Sequence, residues 1–248
     1  MKLTVVVLTR NEGRNIGDCL DGLEAADEVL VVDDHSEDDT VRLAGAAGAK
    51  VVQRRLDTFA GQRNFALNQS HGDWIFFLDA DERFSPDLMA AIQAHMKSGH
   101  DRPGSVVRRN FAFGCRHRFG PLKPDRVTRL FRRESVQWKG AVHERPVFEG
   151  EAVPLAGHLV HLTYRDWDQY LTKQMRYANL WAEEAKAHGR KVTALTAVWR
   201  AVAGYLKMML LNLGILGGPV CWALCWYHGA YTLTKYLKLA EKNSDQKS

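Results

Sequence analysis

The sequence has few cysteines, and none of them form a recognisable pair. Its four cysteines, among 248 residues, include no C-x-x-C motif and no spacing typical of a disulfide framework. This pattern indicates a reducing compartment. The opening segment MKLTVVVLTRNE has an apolar run that is too short, before Arg10 and Glu12, for a signal peptide. We therefore expect a cytoplasmic protein, or one that lies on the cytoplasmic face of a membrane.

The sequence also lacks the glycine-rich loops of several nucleotide-binding classes. The segment LTRNEGRN, after the first apolar run, contains one glycine and no G-x-G-x-x-G. This excludes a Rossmann dehydrogenase and argues against a nucleotidyltransferase, in which a glycine-rich phosphate loop is expected there. The segment DADER has neither Thr nor Val two residues after its second Asp. A haloacid-dehalogenase phosphatase is therefore excluded too.

What the sequence does have is apolar residues and a surplus of positive charge. Hydrophobic residues make up 46% of the chain and charged residues 25%, with a net charge of +5. A chain of this length can form one compact domain, with or without an appendage. The positive charge suits an anionic partner, for which a membrane surface, a phosphorylated ligand and a nucleic acid are the alternatives.

The first third of the chain alternates strand and helix patterns. Apolar runs at residues 3–8, 29–32 and 74–78 are separated by helical segments, and a short strand is predicted at 50–53. This alternation predicts a parallel sheet with right-handed crossovers. Ligands bind beyond the carboxyl ends of such strands. Because TRNE, DDHS and DADE all follow strand ends, we expect them to line one crevice.

Two carboxylates one residue apart, Asp79 and Asp81, follow the apolar run WIFFL. At the end of a buried strand they can converge on one divalent cation, and hard ions such as Mg²⁺ or Mn²⁺ leave coordination positions for phosphate oxygens. The alternative is a solvated loop before a helix that starts near Ser85 and Asp87.

Four segments resemble, in order and spacing, those of the family 2 inverting glycosyltransferases of the GT-A fold. They are VVVLTRNEGRNIGDCLDGL, VLVVDDHSEDDT, GQRNFALNQSHGDWIFFLDADE and RLFRRESVQWKGAVHE. More narrowly, the VHE segment and the KYLKL tail look like those of the lipopolysaccharide-core β-1,4-glucosyltransferases of Gram-negative bacteria. The resemblance implies an α/β GT-A fold (a Rossmann-like, mostly parallel sheet with flanking helices) at residues 1–165, and a helical C-terminal appendage at 166–248.

The resemblance also implies a nucleotide-sugar site. Asp79, Ala80 and Asp81 match the D-x-D motif, whose metal bridges the donor's diphosphate and acts as a Lewis acid for the leaving group. Asp33 or Asp34 matches the nucleotide contact, where a carboxylate accepts the uracil N3–H, and Asp34 is slightly favoured. The other residues that match donor-binding positions are Thr9, Asn11, Glu12 and Arg63. Arg129 is expected to clamp a phosphate or the acceptor, since guanidinium groups suit anionic oxygens. For Arg63, an arginine on a helix surface is the alternative.

An inverting transfer needs a base for the acceptor hydroxyl. The resemblance places Glu144, in GAVHERP, at that position, and the alternative is a surface pair between Glu144 and Arg145. His143 fits a role in orienting its neighbours. His158 and His161, three apart in a predicted strand, point to opposite faces. They favour structural roles over a shared metal site, and His161 as a further metal ligand is the weaker alternative.

The C-terminal region has a different composition. Residues 208–227 are long and apolar enough to consider a transmembrane helix, but Gly214, Gly217, Gly218 and Pro219 interrupt them. Flanking basic residues and several Trp and Tyr side chains favour two shorter helices that lie in the membrane interface. The alternative is a helical pair that packs on the catalytic domain or dimerises.

The resemblance implies a metal-dependent hexosyltransferase. It would move a hexose, glucose first among the candidates, from a UDP-sugar to a lipid-linked glycan such as the lipopolysaccharide inner core. We expect the protein on the inner face of the plasma membrane, with Mg²⁺ or Mn²⁺ as cofactor and no nucleic-acid partner. The alternatives are a non-catalytic membrane-associated protein of the same fold and a nucleotidyltransferase.

Overall fold

The computed structural model describes residues 1–140 and 144–244. These residues group into two compact units. Unit 1 comprises the described residues within 1–108 and 125–161, and unit 2 those within 109–124 and 162–244. The segment 109–124 therefore groups with the C-terminal helices. The division into domains at residue 165 stays a prediction.

Unit 1 begins with the predicted alternation of strands and helices. Four parallel strands lie in the order β3-β2-β1-β4, so the chain crosses over at each step. Their bounds match the apolar runs because a parallel strand is covered on both faces and needs apolar side chains throughout. The elements are β1 (Leu3–Thr9), α1 (Ile16–Leu20), β2 (Glu28–Asp33), α2 (Thr40–Ala46), β3 (Lys50–Gln53), α3 (Phe59–Gln69) and β4 (Trp74–Asp79).

The sheet continues beyond β4 in a mixed arrangement. Within the described residues the strand order is β3-β2-β1-β4-β8-β6-β11-β5, with β7 paired to β6, and β9 and β10 forming a separate hairpin. The β4–β8, β6–β8 and β5–β11 pairs are antiparallel. The bounds are β5 (Glu82–Phe84), α4 (Leu88–Lys97), β6 (Gly104–Ala112), β7 (Cys115–Arg116), β8 (Asp125–Arg132), β9 (Gln137–Lys139), β10 (Arg145–Val147) and β11 (Val153–Tyr164). The predicted α/β class is confirmed.

The core of unit 1 lies on both faces of β1 and β4. Residues 74–78 are fully buried. Phe76 and Leu78 pack on one face with α1 and α4, and Ile75 and Phe77 on the other with α3. Burial of each such side chain contributes about 1.5–3 kcal/mol. The apolar run is therefore core, and it holds the acids at its end in a fixed position.

Unit 2 is mainly helical. It contains α5 (Trp167–Ala187), α6 (Ala194–Leu206), a π-helical turn (Lys207–Leu211), a 3₁₀ turn (Gly214–Gly217) and α7 (Gly218–Ser244). The predicted interruption is confirmed, because Leu213 takes a left-handed φ of 54° between the two turns. Pro219 is the second residue of α7, where a missing N–H costs nothing, so it starts a helix instead of kinking one.

One helical segment of unit 2 could cross a membrane by length and composition. It spans Ala194–Leu211, with a mean hydropathy of 1.3 over 18 residues, and little of it is buried within the protein. This segment begins before the 208–227 run that the sequence indicated and overlaps its first four residues, 208–211. The glycines divide that run between two helical pieces, whereas α6 and the π-helical turn continue without a break.

Candidate functional site

The three polar segments meet at one edge of the sheet. In the strand register, Thr9 lies opposite Asp33, and Leu8 lies opposite Asp79 on the other side. The Asp34 N–H donates to the Thr9 carbonyl at 2.9 Å. Parallel strands end at the same edge, so their terminal side chains converge. The structure therefore brings TRNE, DDHS and DADE together, as expected from the alternation.

Asp33 and Asp34 differ in how much of their hydrogen-bonding capacity is already used. The Asp33 carboxylate is fully buried and accepts from the hydroxyls of Thr9 and Ser36, the Ser36 N–H and the Gln53 amide. Asp34 accepts from the Leu56 N–H and, at 2.8 Å, from Arg10, whose side chain is 63% exposed. Asp34 is therefore the better placed of the two to accept from a ligand, since an exposed arginine can move aside.

Asn11 and Glu12 organise the loop that follows β1. Asn11 has a left-handed φ of 54°, its N–H donates to the Ser36 hydroxyl, and its side-chain oxygen accepts from the Glu37 N–H. The Glu12 N–H donates to the Thr40 hydroxyl. Non-glycine residues with positive φ are uncommon, and Asn is among those that tolerate it best. These bonds connect the loops after β1 and β2.

Asp79 lies between two arginines. Its Oδ2 is 2.6 Å from Arg129 Nη2 and its Oδ1 is 3.2 Å from Arg63 Nη2. Arg129 Nη2 also donates to Glu82 Oε1 at 2.9 Å, and Arg108 lies 3.6 Å from the same oxygen. Glu82 is fully buried, and its other oxygen accepts from the Asp79 N–H. The site is thus a network in which each buried charge faces an opposite one.

The network shifts the pKa values of its acids in opposite directions. Burial alone would raise the pKa of Asp79, but the charges and hydrogen bonds of Arg129 and Arg63 outweigh it and hold that pKa below its ordinary value. Burial raises the pKa of Glu82, with the negative charge of Asp79 adding to it, in spite of Arg129. The carboxylates raise the pKa of Arg129 against the effect of its own burial. The arginines therefore favour the charged form of Asp79.

The arginines keep unused donors at the site. Among the described residues, Arg63 Nε and Nη1 and Arg129 Nε are buried nitrogens without a hydrogen-bond partner. The Arg63 guanidinium stacks over Trp138 at 4.6 Å from the ring centre and over Phe77 at 5.3 Å. Buried donors are costly to leave unpaired. Guanidinium groups match phosphate oxygens, so an anionic ligand can satisfy them.

Glu144 lies beside Arg63. Its Oε1 is 3.8 Å from Arg63 Nε, and its side chain is 22% exposed. This position favours the predicted site role over a surface pair with Arg145. His143, which we expected to orient its neighbours, lies outside the described residues. β9 is anchored to α3, because Asn64 exchanges two 2.9 Å hydrogen bonds with the backbone of Trp138.

Asp81 and His161 approach each other at the end of β4. His161 Nε2 is 3.3 Å from Asp81 Oδ2, because β11 pairs with β5 and sets His161 opposite Glu82. Ala80, between the acids, is buried, and its carbonyl accepts from Arg83 at 2.8 Å. This contact with Asp81 favours a role for His161 in the site over the structural role that we expected.

The donor set fits a hard divalent cation. Carboxylate oxygens of Asp79 and Asp81 suit Mg²⁺ or Mn²⁺, and an imidazole is acceptable to Mn²⁺. Each Asp79 oxygen accepts from one arginine and keeps a lone pair. Within the described parts of the chain, however, no three His, Cys, Asp or Glu side chains are grouped closely enough to hold a metal ion.

Three residues that contribute to the site were not predicted from the sequence. Arg108 bridges Glu82 and Asp125, Asn64 anchors β9, and Trp138 forms the stacking surface for Arg63. All three come from positions whose pattern is that of ordinary strand or helix residues. The Arg-Asn pair in GQRN was the available signal for Asn64, but it pointed only to Arg63.

The sequence of this chain is similar to those of known glycosyltransferases. The sequence model described as "Glycosyl transferase family 2" matches residues 4–143. A protein of Rickettsia prowazekii named as an uncharacterized glycosyltransferase is 25% identical over 85% of this chain and 77% of its own. The lipopolysaccharide core biosynthesis glycosyltransferase LpsC of Rhizobium meliloti is 26% identical over 86% and 82%. Glucosyl-3-phosphoglycerate synthase of Mycobacterium tuberculosis overlays with a TM-score of 0.40, at 22% identity, over 54% of this chain and 57% of that one. That overlay is too partial to carry an argument.

Proposed function

Because this chain belongs to glycosyl transferase family 2, we propose that it transfers a hexose, glucose first among the candidates, from a UDP-sugar with inversion. The acceptor is a lipid-linked glycan such as the lipopolysaccharide inner core, reached from the inner face of the plasma membrane. The observation that carries the proposal is the Asp79 network, with two buried arginines that keep unpaired donors next to it.

The donor's diphosphate is the ligand that this network suits. The guanidinium groups of Arg63 and Arg129 lie beside Asp79 and suit phosphate oxygens. Asp79 and Asp81 would supply two carboxylates for Mg²⁺ or Mn²⁺, with His161 as a further ligand. Mg²⁺ or Mn²⁺ held there would neutralise the charge that grows on the leaving diphosphate.

We propose that Asp34 recognises the base of the nucleotide. A carboxylate accepts the N3–H of uracil, whereas cytosine has an acceptor at that position. Thr9, Asn11 and Glu12 form the loop beside it, and the hydrogen bonds to Ser36 and Thr40 keep that loop in place. Asp33 then has a structural task, because its carboxylate joins β1, β2 and β3.

Glu144 is our proposed general base. It must take the proton of the acceptor hydroxyl as that oxygen attacks the anomeric carbon. Its ion pair with Arg63 ties it to the residue that also contacts Asp79. The base and the phosphate-binding groups therefore hold one another in position.

A binding screen and a transfer assay test the proposal. Thermal-shift measurements with UDP-, GDP-, ADP- and CMP-sugars, each with and without Mn²⁺, should show the largest stabilisation for a UDP-sugar with metal, since a ligand of the native state stabilises it by mass action. Metal-dependent release of UDP should then follow addition of a lipid-linked glycan. Equal shifts for all four nucleotides would contradict the uridine assignment.

The same assay addresses the lipid-linked acceptor. The name of the Rhizobium meliloti relative refers to lipopolysaccharide core biosynthesis, and the exposed apolar side chains of unit 2 suit a membrane surface. Transfer to purified inner-core acceptor in vesicles should exceed transfer to the delipidated glycan. The opposite order would remove the membrane from the proposal.

A further inference from the structure

A basic cavity lies in unit 2, between the start of α6 and the end of α7. Its volume is about 390 Å³, within the range of small-ligand sites, about 300–1,000 Å³. Three of its lining residues are cationic and, among the described residues that line it, none is acidic. The lining residues are Arg190, Lys191, Val192, Thr196, Arg200, Tyr236 and Leu239.

The cations of this cavity have no counter-charge in the described structure. The ion pairs found among residues 1–140 and 144–244 include none to Arg190, Lys191 or Arg200. The Lys242 ammonium, farther along α7, is instead paired with Glu183 at 3.4 Å. Three cations without a carboxylate around one cavity attract an anion.

A fourth cation lies behind the cavity wall. The Lys235 ammonium is half-buried among the rings of Trp181, Tyr231 and Tyr236, at 4.8, 5.3 and 5.7 Å from their centres. Burial lowers the pKa of Lys235, and the charges of Arg200 and Arg190 lower it further. The positive charges of this region therefore act on one another, which an anion in the cavity would relieve.

A helix start and two hydroxyl-bearing residues complete the cavity. Thr196 and Tyr236 line it, and Thr196 lies in the first turn of α6, whose N-cap is Thr193. The Thr196 N–H already donates to the Thr193 hydroxyl at 3.2 Å, but the start of this 13-residue helix carries a partial positive charge. Arginine forks and a helix start together suit the oxygens of a phosphate group.

The surface next to the cavity is apolar. On α6, Leu195 and Trp199 flank Thr196 and Arg200 in sequence and are 69% and 67% exposed. The same helix begins the segment that is apolar enough to enter a membrane. A phosphate group bound beside such side chains suits an amphiphile, whose acyl chains can cover them.

We infer that this cavity binds the phosphate of a lipid headgroup and so fixes unit 2 to an anionic membrane surface. The inference rests on the proposed function for the choice of a lipid as the source of the phosphate. The chemistry alone would also suit a soluble phosphomonoester, so the test separates the two sources.

Vesicle sedimentation with a charge-conserving variant is the test. R190K/R200K keeps both positive charges but loses the guanidinium forks, whereas R165K/R176K makes the same change at two exposed arginines of unit 2 outside the cavity lining. With phosphatidylglycerol–phosphatidylcholine vesicles, R190K/R200K should bind at least about fivefold more weakly than wild type, as the loss of a charged hydrogen bond predicts. R165K/R176K should bind like wild type, and no protein should pellet with phosphatidylcholine alone.

Two results would overturn the inference. If both variants bind phosphatidylglycerol vesicles like wild type, net charge alone sets membrane binding. If sn-glycerol 3-phosphate stabilises wild type but not R190K/R200K, while vesicle binding is unchanged, the cavity is a site for soluble phosphate. Neither assay contains a sugar donor, so a failure of glycosyl transfer leaves these results unaffected. The free energy of unfolding from urea denaturation checks that each variant is folded like wild type.

Discussion

The two units differ in whether their positively charged side chains are paired with carboxylates. In unit 1, Arg63 and Arg129 are buried and face Asp79 and Glu82 at hydrogen-bonding distance. In unit 2, the arginines of the cavity are exposed and have no carboxylate partner among the described residues. Burial forces the first arrangement, because an uncompensated buried charge is too costly to keep. Exposure permits the second, which leaves the charge available to a partner.

Apolar side chains show the same contrast. The large apolar residues of β4 are fully buried, whereas α6 and the turns after it expose many. They include Leu195, Val198, Trp199, Leu206, Leu210, Leu211, Ile215 and Leu216. A patch of this kind marks a contact surface when it is contiguous. Unit 1 thus buries its large apolar side chains in the sheet, whereas unit 2 exposes many of them.

Asp81→Asn should have the largest effect on the proposed site of unit 1. The amide removes a negative ligand oxygen from the proposed cation site, so we expect transfer to fall by at least about a thousandfold and UDP binding to lose its metal dependence. UDP release and thermal shift, each with varied Mn²⁺, measure the two effects. Asp101→Asn, a change at an exposed acid, is the control. Full transfer by Asp81→Asn at low metal would remove the cation from the mechanism.

Arg129→Met tests whether unit 1's charges depend on each other. It leaves Glu82 and Asp79 without their shared partner, and the loss of one member of a buried pair costs about 3–5 kcal/mol. Urea denaturation should show that loss in the free energy of unfolding. Arg132→Met on the same strand removes an exposed pair with Asp101 and should cost less than about 1 kcal/mol. Equal losses in the two variants would contradict the comparison.

Glu144→Gln separates the base from donor binding. We expect kcat to fall by at least about a hundredfold, with little change in the affinity for UDP-sugar, because the lost group acts only on the acceptor proton. Steady-state kinetics and donor titration measure these quantities. Glu149→Gln, at an exposed position nearby, serves as the control. An unchanged kcat would move the role to another residue, with Asp125 the next candidate.

Trp199→Ser with Leu211→Ser addresses the apolar surface of unit 2. Both side chains are more than half exposed, so the free energy of unfolding should change by no more than about 0.5 kcal/mol each. Vesicle binding should weaken by roughly tenfold, since each side chain contributes apolar area to the membrane contact. High salt should release much of the wild type if its attachment is peripheral. Release by detergent alone would instead indicate a span.

The smallest expected effect concerns the free energy of unfolding at acidic pH. Because the folded pKa of Asp79 is held below its ordinary value of about 3.9, its contribution is present above that pH and is lost as the pH falls toward the folded value. The stability difference between wild type and Asp79→Asn should therefore shrink on acidification. Glu82, whose pKa is raised, acts in the opposite sense, but both proteins contain it. A difference that does not change with pH would contradict the assigned charge of Asp79.

The sequence predicted the parallel half of the sheet closely and the other half only loosely. Residues 74–79 form a strand as expected, since apolar character over six residues is a local property. Beyond Pro103 the strands pair with partners far away in the chain, and one of them, β11, runs for 12 residues. Such pairings depend on burial and register, which no local pattern encodes. The break within residues 208–227 was predicted because glycine lowers helix stability at its own position, which is a local property.

What the sequence determined by itself is therefore the family, the strand ends that bear Asp33, Asp34, Asp79 and Asp81, and the division of the C-terminal helices. Tertiary structure decided which groups these acids meet. His161 reaches Asp81 because β11 pairs with β5, and Arg129 reaches Asp79 because β8 pairs with β4. The cavity of unit 2 depends in the same way on the packing of α7 against the other helices. Contacts between residues distant in the chain are set by how buried surfaces fit together, and that fit is a property of the whole fold.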